Sequence, residues 1–286
     1  MSAHRTNATT CLAEPLERRT LLAAQVYPPH STVGGRSMED WAVQQWKTTF
    51  ETPVHGADGV SIRNPVVDET GAQAAQGNFD GAFMLFGTIT GGNIVRSNVA
   101  IPAGKPIFVP IAGMEFSNYD TPNADFSLPG TYSQADLRQF AKLSALSVPS
   151  RGELHVNIDG RPVASLSGHR EDSPIHYTLP DHDNLLQYFG LDFSGPVDAS
   201  VDGYYVMLNP LAPGEHTINF GSTIPHNDFP LLSDFSADVT YHVTVGNARA
   251  ATAGNHSDNP FGNVKIDATK LASDVLSPAT GDELLA

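Results

Sequence analysis

From Phe235 to Val245 apolar and polar residues alternate without a break. Phe235, Ala237, Val239, Tyr241, Val243 and Val245 fall on one side, and Ser236, Asp238, Thr240, His242 and Thr244 on the other. A period of two is the signature of a strand with one buried face, so this segment fixes a sheet with a core on one side. Similar stretches precede it. Leu154, Val156 and Ile158 alternate with Glu153, His155 and Asn157, and Asp159-Gly160 offers a tight turn into Pro162 to Leu166. Tyr204 to Leu208 is followed by the turn chemistry of Asn209 to Gly214, then by Glu215 to Phe220. Further upstream, Phe83 to Ile89, Ile94 to Ile101 and Ile107 to Ile111 are apolar runs separated by Gly91-Gly92-Asn93 and Pro102-Ala103-Gly104-Lys105. Three such strands in sequence suggest a meander.

Helices are few. Ser37 stands three residues before Asp40, and Trp41, Ala42, Val43, Trp46 and Phe50 follow at helical spacing, which predicts a capped helix. A second is expected from Ser133, with Leu137, Phe140, Ala141 and Ser144 or Ala145 on one face and Pro149 at its end. A parallel α/β fold needs a helix between most strand pairs, and this chain does not supply them. The expected fold is therefore mainly β, an antiparallel β-sandwich or jelly roll with two short decorating helices. It occupies residues 37–245, between an export leader or disordered N-terminus (1–36) and a flexible tail (246–286).

Sixteen Lys and Arg face 31 Asp and Glu, for a net charge of −15. That argues against nucleic acid as a partner, since phosphate binding needs clustered cations. No apolar run is long enough to cross a membrane as a helix. The single Cys11 excludes an intrachain disulfide and reads as an incidental thiol. The sequence lacks a Gly-x-Ser-x-Gly elbow, a His-Glu-x-x-His helix, a Walker loop and a Gly-x-Gly-x-x-Gly loop, which argues against the commonest hydrolase, metalloprotease and nucleotide-enzyme classes.

The stretch Ala13-Glu14-Pro15-Leu16-Glu17-Arg18-Arg19-Thr20-Leu21-Leu22 resembles a short Leu-Glu-Pro-Arg-x-Leu-Leu type motif near the N-termini of exported bacterial surface proteins, matching at Pro15, Glu17, Arg18, Leu21 and Leu22. The resemblance implies an extracytoplasmic location, secreted or at the cell surface. A second resemblance is carried by Trp41 and Trp46, Asn64 to Gly71, Gln76-Gly77, Phe83 to Gly87 and Pro102 to Pro110. It continues through Asp159-Gly160, Ser173-Pro174, Asp202 to Tyr205, Leu211 to Phe220 and Asp238 to Val245. In this order the blocks are similar to a family of uncharacterised exported bacterial β-rich proteins, over Trp41 to Val245. Some of its members carry Cys near the position of Glu115 to Ser117, where this chain has none. The resemblance implies an exported β fold and brings no activity.

The densest polar region runs from His169 to Asn184 and reads as a solvated loop. Asp181, Asp183 and Asn184 offer oxygen ligands that could converge on Ca2+, and His169, His176 or His182 could instead serve a transition metal. Arg170, His176, Tyr177 and His182 supply the residue types for β-elimination on a polysaccharide: a Tyr or His to move a proton and an Arg to neutralise a sugar carboxylate. Tyr204 and Tyr205 point to opposite faces of one strand, one ring expected in the core and the other available as a sugar platform. His216 is expected to be a semi-buried structural histidine, or a ligand at a cleft. The first expectation for function is an exported, non-catalytic interaction or structural module with a carbohydrate or surface-protein partner. A secreted carbohydrate-active enzyme of the polysaccharide-lyase kind and a small-ligand binder are the alternatives.

Overall fold

The computed structural model describes residues 26–119, 129–151, 153–225 and 234–246. The export motif, Cys11 and the tail from 247 onward lie outside them.

The protein is mainly β. A small hairpin, β1 (Thr32–Val33) and β2 (Arg36–Ser37), leads into helix α1 (Met38–Glu51). The predicted cap is in place: the Ser37 side chain accepts from the Asp40 N–H at 3.0 Å, and the Asp40 carboxylate accepts from the Ser37 N–H at 3.1 Å. Short strands β3 (Asn78–Phe79) and β4 (Ala82–Met84) precede the long β5 (Gly92–Pro102) and β6 (Ile107–Ser117). Helix α2 (Gln134–Arg151) follows, then β7 (Leu154–Ile158), β8 (Arg161–Pro162), β9 (Arg170–Leu179), helix α3 (Leu185–Tyr188), β10 (Gly195–Leu208), β11 (Gly214–Ile224) and β12 (Phe235–Gly246).

Two five-stranded sheets result. One has the order β3-β4-β6-β10-β9, the other β5-β12-β11-β7-β8. Most pairs are antiparallel, but β4 runs parallel to β6 and β5 parallel to β12. The expected meander is therefore absent: β4 and β6 are neighbours, while β5 between them in sequence crosses to the other sheet. The turns were legible, but which strand pairs with which is decided by packing of the two sheets and not by the turn residues.

The faces of the first sheet carry different cores. Tyr204, Val206 and Leu208 of β10 point toward the second sheet, where they meet Val156, Ile158, Ile218, Phe220, Val239 and Tyr241. Val197, Ala199, Val201, Tyr205 and Met207, on the alternate positions, pack under α1 with Trp41, Ala42, Phe50 and Phe108. In β6 a bulge opposite Tyr204 and Tyr205 makes Ile111 an extra residue, so Ile107, Val109 and Ile111 and then Ala112, Met114 and Phe116 all face the inter-sheet core. Helix α2 covers the far end of that same face, packing on β10 and β6 through Leu137, Ala141, Ala145 and Val148.

Three further expectations need correction. Pro149 does not end α2, which continues to Arg151; a proline in the final turn loses only one helical hydrogen bond. Residues 170–179 are not a loop but strand β9, whose Ser173, Ile175, Tyr177 and Leu179 are buried while Pro174, His176 and Thr178 face solvent. The ordered body also begins before residue 37, since Val26 bridges Leu208 and the Tyr27 N–H donates to the Met207 carbonyl at 2.8 Å.

Candidate binding site

Strand alternation in β9 puts Tyr177 on one face and Arg170 and His176 on the other, six residues apart along the strand. Tyr177 lies under α1, stacked on Phe50 with ring centroids 4.7 Å apart, and its hydroxyl donates to Glu115 Oε1 at 2.9 Å. His176 points the other way and holds Asp198, its cross-strand neighbour. His182 sits in the bend after β9. Arg170 lines a cleft beside helix α2.

Asp183, with a left-handed φ of 59°, accepts from the His55 N–H at 2.6 Å and contacts His55 Nδ1 at 2.7 Å. Asn184 is fully buried and caps α3: its Oδ1 accepts from Gln187 N–H, and its Nδ2 donates to the Pro180 and Phe193 carbonyls. Asp181 contributes its backbone carbonyl to Gln187. Among the described residues no three His, Cys, Asp or Glu side chains are grouped to hold a metal ion. Tyr204 and Tyr205 do point to opposite faces, yet neither ring is a surface platform, because both faces of their sheet are covered. The Tyr205 hydroxyl accepts from Trp46 Nε1 at 3.0 Å, and burial pushes its ionisation well above the ordinary tyrosine range. His216 is held by Asp159 Oδ2 and by the Ala212 carbonyl, both at 2.8 Å, which is the structural role.

A cleft of about 330 Å³ lies between α2 and β9, lined by Ala135, Arg138, Gln139, Lys142, Arg170 and Asp172. Local sequence builds each wall. On α2 the residues at i, i+4, i+8 and i+11 from Leu137 are buried, so the adjoining stripe Ala135, Arg138, Gln139 and Lys142 borders the cleft. Ser133 and Asp136 fix where the helix starts, the Asp136 carboxylate accepting from the Ser133 N–H at 3.0 Å and from its hydroxyl at 2.6 Å. Further in, the Gln134 amide donates to the Ala199 carbonyl and to Ser200 Oγ, tying the first turn to β10. The opposite wall is β9, whose Arg170 and Asp172 stand beside Tyr204 and Asp202 of β10.

Charge alternates through this site. Arg138 donates to Asp172 Oδ2 from Nη2 at 2.6 Å and from Nε at 3.1 Å, and Arg170 Nη2 donates to Asp202. Asp172 and Asp202 are directly opposite across the β9–β10 pair, an arrangement of like charges that two arginines compensate. Asp202 is only 1% exposed. Burial, outweighing the Arg170 contact and helped by Asp172, pushes its carboxyl up to about 6. Its Oδ1 and the Nε of Arg170 are buried without a hydrogen-bond partner. Lys142 is exposed and has no acidic partner among the described residues.

Sequence reading found Arg170 and missed the rest of this cleft. Arg138 and Lys142 are four apart on a helix whose apolar face had been identified, so the signal lay in the adjoining polar stripe. Nothing local marked Asp202, since a carboxylate inside a strand becomes significant only when its cross-strand neighbours are known. No protein-family model, no curated protein and no solved structure matches the chain, so the cleft's own chemistry is the guide to its use.

Proposed function

We propose that the chain is an exported, non-catalytic β-sandwich module of the cell envelope or extracellular space that works by binding. The observation that carries this reading is the separation of Arg170 from both proton-transfer candidates of β9: Tyr177 is on the opposite face, and His176, on the same face, lies six residues further along the strand and is engaged by Asp198. A β-elimination site needs the proton-transfer group and the cation within reach of one sugar ring. Here the Tyr177 hydroxyl is engaged under α1, on the side of the sheet away from Arg170. Export rests on the resemblance of residues 14–22 to a surface-protein motif and on the family resemblance of Trp41 to Val245.

The test is to incubate the full chain with acidic polysaccharides and follow the absorbance of unsaturated uronate ends. The expected result is no product. Product that disappears in His176→Ala or Tyr177→Phe would establish a lyase and overturn the reading. Fractionation of cells expressing the chain with and without residues 1–36 tests location; retention of the full chain in the cytoplasm counts against export.

A further inference from the structure

We propose that the cleft between α2 and β9 binds the carboxylate of an acidic sugar. This rests on the binding-module reading and gives it a site and a ligand class. Three cations, Arg138, Lys142 and Arg170, face two carboxylates, Asp172 and Asp202, leaving one unit of positive charge in a chain whose net charge is −15. A local reversal of sign in an acidic protein concentrates anions at one place and repels them elsewhere.

Two free donors line the cleft. Among the described residues only Nη2 of the two terminal Arg170 nitrogens has a protein partner, so Nη1 remains available, and Lys142 carries an uncompensated ammonium. Together they can hold the two oxygens of a planar carboxylate with charge-assisted hydrogen bonds. Gln139 adds an amide that both donates and accepts. Asp172 uses Oδ2 for Arg138 and keeps Oδ1 as an acceptor for a hydroxyl. One anionic group flanked by neutral hydroxyls matches this set of partners, and that is the description of a uronic acid.

Asp172 also discriminates. It stands in the lining, and a second negative charge on the ligand would meet it, which disfavours phosphate and sulfate dianions. The volume, about 330 Å³, is at the small end of ligand pockets, suited to a single ring with its substituents. The methylene stems of Arg138 and Lys142 with Ala135 give the ring an apolar side to rest on.

The experiment is calorimetric titration of the full chain at low salt with galacturonic acid and its short oligomers, with galactose and its oligomers, and with inorganic phosphate and sulfate. Binding of the uronates is expected, with the neutral sugars at least about tenfold weaker, the loss associated with one charge-assisted contact. Lys142→Gln should weaken uronate binding about tenfold and Lys142→Arg should retain it. Lys142 is exposed, so an unchanged Tm is expected for both and separates lost binding from lost folding. Equal affinity for galactose, tighter binding of phosphate or sulfate, undiminished binding by Lys142→Gln, or no binding of any uronate would each overturn the assignment. Appearance of a cleavage product with the cleft contacts intact would defeat the non-catalytic reading and leave the site standing.

Discussion

The Arg96 guanidinium lies over the Tyr241 ring, 5.3 Å from its centroid, and its Nη1 donates to the Tyr241 hydroxyl at 2.5 Å. Both side chains are essentially excluded from water. Among the described residues no carboxylate side chain is paired with the arginine. It donates instead to the carbonyls of Asp68, Phe86 and Gly87, and so fastens two segments of irregular chain to the inter-sheet core. Substituting Arg96→Met would strand those carbonyls without donors. The expected loss is about 3 kcal/mol or more, against about 1–2 kcal/mol for Tyr241→Phe, where only a hydroxyl is removed. Urea unfolding of both variants checks the order, and a Tyr241→Phe loss equal to that of Arg96→Met would contradict it.

Gly203 should be intolerant of any side chain. A Cβ there would stand 2.3 Å from the Ala112 carbonyl oxygen and 2.8 Å from the Gly113 Cα, beside the bulge that redirects β6. Gly203→Ala is expected to cost about 2 kcal/mol or more, because backbone on the neighbouring strand must move. A midpoint of denaturation unchanged from the parent would show that the strands have room to separate.

His216 and Asp159 predict a stability maximum in mildly acidic solution. Burial works against the charge on His216, but Asp159 and the Ala212 carbonyl outweigh it, since two acceptors need a ring with two N–H groups, and its pKa is raised. Its contribution is complete below the ordinary histidine value and is lost as pH rises through the raised one. Asp159 is also opposed by burial, yet His216 and the Thr217 N–H hold it below the ordinary range, so its contribution is lost only as pH falls through that lowered value. His216→Gln should flatten the alkaline side of a Tm–pH profile. An alkaline limb identical to that of the parent would mean the pair does not titrate on unfolding.

Asp202 acts in the opposite sense. Its carboxyl is pushed up to about 6, so the neutral form suits the folded state. The associated stability is fully present below the ordinary aspartate value and declines as pH rises from about 4 to about 6. Asp202→Asn should remove this decline, and its Tm relative to the parent should climb over that interval. A difference that stays constant with pH would place the Asp202 proton elsewhere.

Much of the fold was legible because burial on one face leaves a period of two in the residues. β12 could be read from Phe235 to Val245 for that reason, and α1 from the Ser37–Asp40 cap. β9 was obscured: its buried Ser173, Ile175, Tyr177 and Leu179 are interrupted by Pro174 and flanked by Arg, Glu, Asp and His, so polarity concealed the alternation. The candidate site was legible only in part. A cation on β9 and two on α2 become one cleft through tertiary packing, and no spacing within either element records the other. Tyr205 failed as a platform for a related reason, since one strand cannot reveal that both faces of its sheet are covered.

The parallel pairing of β5 with β12 sets an order of assembly. Among the described residues β5 has β12 as its sole neighbour in its sheet, and β12 spans Phe235–Gly246. During synthesis residues 92–102 emerge long before the strand that completes them, and β12 also separates β5 from β11. Ile94, Val99 and Ile101 must therefore stay unpaired until translation reaches the far end of the domain. A pairing over so long a loop is slow by nature. Until the last strand arrives the nascent chain carries an apolar strand with an open edge, the kind of surface that makes folding intermediates prone to aggregate.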